Sequence, residues 1–386
     1  MKINHLDLFS GIGGFHLGFE RAGYEITSYF SEIDKHAIAV YKHQFPTSTY
    51  VGSVTNVRGA DLPRINLITF GSPCQDFSLA GKRKGMEGQR SSLVLEAIRL
   101  ISECRPSVFI WENVKGTFSS NDGADFWAII QAFTDIGGYR LEWQLLNTSW
   151  FLPQNRERIY LVGYSTTTSR GGVFPIGETN LHADEPIGDI RWNTSGRNTS
   201  HSRTIRKDIS KMGSGDTYIK VKSATSNGYE QAGVGDSINF SQPNSETRRG
   251  RVGKQKAQTL ETSCNQAVVQ PNYTYEKVNE TIRRNNFVEG EIKAMDLYNK
   301  TLRDESPALT QPEHNGISLF DGYRIRRLTP IECERLQGFP DQHTAYGNYD
   351  GEVKPMSNTQ RYKQCGNAVT VDVVAAVAKK CIPLFN

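Results

Sequence analysis

Four sets of residues in this 386-residue chain carry side chains and spacings that could do chemistry. The earliest is FSGIGG at 9–14, where an apolar stretch gives way to an amphipathic one. Glycines at a strand-to-helix turn let a ligand approach the backbone and sit by the helix N-terminus. A dinucleotide fingerprint would need glycine at its sixth position, and His16 stands there instead, which counts against NAD or FAD. Glu32 lies 21 residues after Gly11, at the end of the second apolar stretch, where an acid commonly holds ribose hydroxyls. The third relevant stretch runs into SPCQDFS at 72–78, which puts the thiol of Cys74 at the carboxyl end of a central strand. An isolated cysteine there is more often a packing residue. Pro73 alters that reading, because it stiffens the backbone that carries the thiol. The next stretch delivers Glu112, in WENV at 111–114, to the same edge, where a carboxyl can give or take a proton beside a thiol. The conjunction is more specific than any member.

A parallel sheet would bring these groups together, and the chain has its pattern. Strand-length apolar stretches at 3–9, 24–30, 65–71, 106–111, 140–146 and 158–164 alternate with helical stretches at 15–22, 35–44, 91–104 and 125–136. This order predicts an α/β, Rossmann-like, mostly parallel sheet covered on both faces. Residues 166–322 are rich in Gly, Ser, Thr, Asn and Gln, and predict a smaller, loop-rich domain that leans to β structure. Helical character returns at RRLTPIECERLQGF, where Thr329 can cap, Pro330 suits the first turn and Glu332 sits at the capping-box offset. A last helix is expected at 369–380. The expected division is therefore 1–165 plus 323–386 against 166–322.

Composition sets the broad class. Hydrophobic residues at 37% and charged residues at 22% allow a packed interior and a solvated surface, so global disorder is excluded. No apolar stretch is long enough to cross a membrane and no secretion signal is evident, so the expectation is a soluble, cytoplasmic protein. The cysteines are 6 in number and far apart, which predicts free thiols, and with scattered histidines no metal is expected. The net charge is only +4, but residues 198–256 hold eleven Lys/Arg against five Asp/Glu, an excess of six. The remainder is then near minus two, so one segment carries the basic character expected of a nucleic-acid contact.

At these residues the sequence resembles the DNA (cytosine-5)-methyltransferase family over nearly all of the chain outside 166–322. FSGIGG resembles its cofactor loop, Pro73-Cys74-Gln75 its nucleophile motif and Glu112-Asn113-Val114 its acid motif. QNRER at 154–158 resembles its arginine motif, residues 326–340 the helix after the recognition region, and GNAV at 366–369 the segment that completes the cofactor pocket. The resemblance implies that Cys74 attacks C6 of cytosine and that Glu112 holds N3 and the exocyclic amine. Arg158, with Arg156 nearby, would contact the base O2 and phosphate. For the cofactor, S-adenosylmethionine, it implies contacts from Phe9, Gly11, Gly13, Gly14, Glu32, Pro73, Asn367 and Ala368. At GSVT (52–55) the chain has Ser53 where the family usually places an aspartate facing the adenine amine.

For double-stranded DNA, the resemblance implies a loop at 76–95 that closes over a flipped base, beginning just after Gln75 at the motif. Its Lys82, Arg83, Lys84 and Arg90 can reach phosphates, and Gly81, Gly85 and Gly88 permit hinge motion. Target recognition is expected in 166–322. There Arg248, Arg249 and Arg251 suit phosphates or guanine edges, and Thr259-Leu260 resembles a pair bordering the flipped base. The target sequence itself is not legible. A monomer is expected, paired in function with a restriction endonuclease in some settings. Three other readings stay open at this point. A tRNA-methylating relative is opposed by Gln75-Asp76-Phe77-Ser78 after the cysteine and by the large recognition segment. A catalytically dead DNA-binding relative is opposed by the intact Cys74, Glu112 and Arg158. An oxidoreductase explains neither Cys74 nor GNAV.

Overall fold

The computed structural model describes residues 1–71, 92–167, 172–177, 209–210, 219–233, 235–239, 241, 250–263, 266–271, 293–296, 301–303, 317–320 and 323–385. They form two compact units, one of Met1–Gly188 with Cys333–Asn386 and one of Asp189–Glu332.

The larger unit is built on a seven-stranded sheet. Its strands are β1 (Lys2–Leu8), β2 (Glu25–Ser31), β3 (Thr49–Tyr50), β4 (Leu67–Gly71), β5 (Val108–Val114), β6 (Tyr139–Asn147) and β7 (Glu157–Ser165). They lie in the order β3-β2-β1-β4-β5-β7-β6. Every neighbouring pair from β3 to β5 is parallel, and β7 runs antiparallel to both β5 and β6, so the mostly parallel expectation holds. The helices are α1 (Gly14–Arg21), α2 (Lys35–Gln44), α3 (Ser92–Cys104) and α4 (Ala124–Asp135). They are followed by α5 (Pro330–Leu336), α6 (Asn358–Asn367) and α7 (Val371–Cys381).

Central strands are largely apolar because both faces are covered. Along β5, Val108 and Ile110 pack with Phe19, Val374 and Val377 of α1 and α7, whereas Phe109 and Trp111 pack with Ala97, Leu100 and Phe133 of α3 and α4. This is the two-residue period of a strand expressed as two cores. Asp34 caps α2 by accepting from His36 N at 2.9 Å. The anticipated capping box is present at α5. Glu332 Oε2 accepts from Thr329 N at 2.8 Å and Thr329 Oγ1 accepts from Glu332 N at 3.3 Å.

Helix α6, the two-residue β3 and a hairpin of β18 (Tyr346–Tyr349) and β19 (Glu352–Pro355) were not expected from the sequence. The strands between are short. Strands β8 (Ile209–Ser210), β9 (Ile219–Lys222) and β10 (Tyr229–Ala232) form one small sheet. A second holds β11 (Ser237–Asn239), β12 (Val252–Gly253), β13 (Gln266–Pro271) and β17 (Tyr323–Arg327). A third holds β14 (Lys293–Asp296), β15 (Thr301–Arg303) and β16 (Ile317–Phe320). The β-leaning character of this segment is as expected. Its first boundary falls later than the composition suggested, because Val173 and Ile176 belong to the core beside α7. Glu142 of β6 also accepts from the N–H groups of Val173 and Phe174 at 2.8 and 3.2 Å.

Candidate active site

The glycine turn begins where β1 ends. Phe9 has φ 52°, a left-handed conformation that costs a non-glycine residue and that clusters at functional sites. Gly13, with φ 84°, could carry no Cβ, since that atom would lie 2.3 Å from the ring of Phe45. Gly14 is constrained from the opposite side, by Val369 Cγ2 at 2.6 Å. The C-terminal GNAV segment therefore packs directly on the turn.

Glu32, one residue beyond β2, fastens the turn to its neighbour strand. Its Oε2 accepts from Gly11 N at 2.9 Å, while Oε1 accepts from the N–H groups of Ile33 and Asp34 at 2.7 and 3.0 Å. Oε1 is thereby filled, whereas Oε2, with one bond accepted, keeps lone-pair capacity for an outside donor. Asp34 in turn accepts from Lys363 Nζ of α6 at 2.6 Å. Burial alone would raise the Asp34 carboxyl, but the Lys363 and His36 hydrogen bonds outweigh it and hold the group below its ordinary range.

At the other end, β4 and β5 place Gly71 and Glu112 side by side. A Cβ at Gly71 would lie 3.2 Å from Glu112 Oε2, so the carboxylate leans over the backbone just three residues before Cys74. Glu112 is 8% exposed. Its Oε1 lies 3.2 Å from Arg158 Nε but takes no hydrogen bond among the described residues, so this pairing is one of charge and not of aligned N–H and oxygen. Arg158 and Arg156 divide their work. Arg156 is 4% exposed, and its Nη1 and Nη2 donate to the carbonyls of Gly366 at 3.3 Å and Ala368 at 2.9 Å. It is a strut for the GNAV segment, and Gln337, just after α5, donates from Nε2 to the carbonyl of Cys365, just before that segment, at 2.9 Å.

These groups wall one cavity of about 530 Å³, within the range of small-molecule sites. From the expected cofactor set, Phe9, Gly11, Gly14, Glu32, Asn367 and Ala368 line it, as do Glu112, Arg156 and Arg158. Gly13 does not, its role being to pass Phe45. The sequence reading missed Ile33, Asp34 and Lys363 in the wall; Ile33 is 78% exposed, and its place directly after the strand-end acid Glu32 is the signal that could have found it.

Pro73, Cys74, Gln75, Lys82, Arg83, Lys84, Arg90, Arg248 and Arg249 lie outside the described residues. Two expectations in the smaller unit are corrected. Arg251 is 0% exposed, with Nε on Asn239 O at 3.2 Å and Nη1 on Lys222 O at 2.7 Å. A guanidinium so enclosed braces β9 against β11 and cannot reach DNA. Leu260 is 2% exposed and belongs to the interior. Thr259 is half-buried, and its carbonyl accepts from Gln266 Nε2 at 2.9 Å.

Comparison with known proteins gives this architecture a family. The chain is 28% identical to an orphan methyltransferase, M.SPRI, of Bacillus phage SPR, covering 100% of this chain and 98% of that one. It is also 28% identical to the type II methyltransferase M.Bsp6I of Bacillus sp. (strain RFL6), covering 96% of each. Among solved structures, an S. pombe Dnmt2 methyltransferase superposes with a TM-score of 0.57 at 16% identity over 99% of both chains, a likeness of fold. The family model for C-5 cytosine-specific DNA methylase matches residues 3–383. The chain belongs to that family and is a DNA (cytosine-5)-methyltransferase.

Proposed function

We propose that this enzyme transfers the methyl group of S-adenosylmethionine to C5 of a cytosine turned out of double-stranded DNA, by way of a covalent bond between Cys74 Sγ and C6. The observation that carries the reading is the Glu112 carboxylate beside Gly71, three residues before Cys74, at one end of a cavity whose other parts suit a nucleoside.

The cavity wall fits that methyl donor. Glu32 Oε2 has acceptor capacity for a ribose hydroxyl, Ile33 offers an apolar surface for a flat ring, and the glycine turn leaves room for a close ligand backbone. From Ser53 after β3 to Glu112 on β5 is four strand spacings of about 4.8 Å, roughly 19 Å, room for an elongated molecule. S-adenosylmethionine, when bound, supplies an electrophilic methyl group. Cys74 acts as thiolate. With an ordinary thiol pKa of about 8.5 it is only a few per cent ionised at pH 7, a fraction that neighbouring arginines raise. Attack at C6 forms the S–C6 bond and pushes the ring electrons towards C5 and N3. Glu112 holds N3 and the exocyclic amine as charge develops there, and Arg158 steadies the base O2. After C5 is methylated, loss of its proton and departure of Cys74 Sγ restore the ring. A stacked cytosine cannot present C6 to a thiol, so the base leaves the helix at a cost of about a few kcal/mol.

Residues 189–332 are proposed as the target-recognition unit, supported by the charge excess of 198–256. Because relatives include a type II methyltransferase, the biological role proposed is protection of DNA from a cognate restriction endonuclease. Duplex DNA carrying 5-fluorocytosine at the target should trap a covalent adduct, since fluorine cannot leave as a proton does, and Cys74→Ala should give neither adduct nor methyl transfer. Active protein that forms no adduct would sink attack at C6. Sequencing the methylated positions in a host lacking cytosine methylation identifies the target, and the absence of modified cytosine in any fixed context would sink the protective role.

A further inference from the structure

The wall of the cavity beyond Glu32 is a turn, Gly52 to Val57, that no regular element contains. Ser53 and Val54 line the cavity, and Asn56 N closes the turn on Ser53 O at 2.8 Å. What holds it comes from α3. Arg99 Nη2 donates to the carbonyls of Val57 at 2.9 Å and Val54 at 3.2 Å. The same guanidinium is gripped by Glu96 Oε2, at 2.8 Å from Nε and 2.7 Å from Nη2, and by Glu103 Oε1 at 2.7 Å from Nη1. Three acceptors share the two Nη2 hydrogens, so at least one of these bonds is bifurcated. Glu103 also takes Gly59 N on Oε2 at 2.7 Å, just past the turn. From the β2 side, Ser31 Oγ donates to Gly52 O at 2.8 Å.

Arg99 does not line the cavity and sits about one-third exposed (34%). An exposed triad of this kind on a helix surface ordinarily contributes little. Here one carbonyl acceptor, Val54, belongs to a residue of the cavity wall and the other, Val57, ends the turn, and the planar fork lets Nε and Nη1 stay on Glu96 and Glu103 while Nη2 takes both carbonyls, an arrangement a single lysine ammonium could not reproduce. The strand order β3-β2-β1-β4-β5 also orders the ligand. With the reacting end at Gly71 and Glu112 and the ribose at Glu32, the purine end falls on the Ser53–Val54 wall.

We infer that Arg99 is a positioning residue for the methyl donor: it acts through the Val54 and Val57 carbonyls to set the wall that receives the purine end, without touching ligand or DNA. The inference rests on the cavity reading given above. The test is calorimetric binding of S-adenosylhomocysteine to the full-length protein, together with steady-state kinetics on DNA, for wild type, Arg99→Met and Arg99→Lys. Arg99→Met should weaken S-adenosylhomocysteine and raise the KM of the methyl donor by about tenfold, the scale of losing charge-assisted hydrogen bonds. The kcat at saturating donor and the KM for DNA should stay within about twofold. Arg99→Lys, which keeps the charge and reaches one carbonyl, should fall between and serves in place of the methionine variant if that fails to fold. Unchanged affinity in both variants, whatever happens to their Tm, would overturn the inference, as would a parallel fall in kcat and in DNA affinity. Failure of the wild-type protein to bind S-adenosylhomocysteine would overturn the cavity reading itself, and this inference with it.

Discussion

Glu112 shows how far one side chain depends on its neighbours. The role proposed for it requires a carboxylate close to the Cys74 backbone, and the absence of a Cβ at Gly71 leaves room for it. Arg158 balances its charge from the adjacent β7. Glu112→Gln keeps the shape and removes the charge. It should lower kcat at least about a hundredfold, near 2.7 kcal/mol of barrier, while S-adenosylhomocysteine affinity changes less than about threefold. Comparable loss of both, measured by kinetics and calorimetry on the same preparation, would move Glu112 out of the chemistry and into the pocket wall. The roles proposed for Cys74, Glu112 and Arg158 each start from the sequence. That Arg156, just before β7, and Arg158, within it, have different partners could not be read there, because only distant parts of the chain, the Gly366 and Ala368 carbonyls and Glu112, separate them.

At the scale of elements, strands β1, β2 and β4 to β7 and helices α1 to α4 follow from apolar period, with ends that differ by three residues at most. Helix α6 escaped because its sequence, NTQRYKQCGN, is strongly polar and buries only Gln364 and Cys365. Its place is decided by distant bonds. Glu334 of α5, 0% exposed, accepts from Arg361 Nη2 at 2.8 Å, and Arg156 holds the carbonyls at the helix end and just beyond it. Arg156→Met should leave those carbonyls unpaired, costing about 3 kcal/mol in urea unfolding, and should weaken S-adenosylhomocysteine about tenfold by loosening Asn367 and Ala368. Stability that falls with affinity untouched would show that the segment keeps its pocket position without this strut. In the smaller unit, Glu230 plays a comparable part by accepting from the N–H of Val252 at 3.0 Å and from Ser223 Oγ. Burial works against its charge, and these bonds outweigh it and hold the carboxyl below its usual range. Its stabilisation is therefore complete above the unfolded carboxylate range and fades as pH falls through the lowered folded value.

At the scale of the whole molecule, the chain leaves the larger unit after Gly188 and returns at Cys333. All described residues of the cavity wall belong to that larger unit. Methyl-donor binding and DNA recognition should then separate under mutation. Arg251→Met removes the brace between Asn239 and Lys222. It should reduce duplex affinity more than about tenfold while S-adenosylhomocysteine binding stays within about twofold. Loss of both in step, measured by anisotropy and calorimetry, would show that the two units do not act separately.

The sequence by itself determined the reaction class, the parallel α/β plan and the sheet edge on which the chemistry sits, because those depend on residue type, period and the order of strand ends. The buried network under that edge was decided by the tertiary structure. Asp7, near the end of β1, accepts from Thr69 Oγ1 at 2.9 Å and from Tyr41 OH at 3.4 Å, and Thr69 meets His5 Nε2 at 2.6 Å. Burial pushes the Asp7 carboxyl well above and the His5 imidazole well below their ordinary ranges. Tertiary packing likewise assigned Arg251 to the interior, Arg156 to the GNAV carbonyls and Arg99 to the Val54 and Val57 carbonyls. An arginine reads the same in sequence whether it meets a phosphate or a backbone oxygen, and only the fold brings one or the other within 3 Å of its guanidinium.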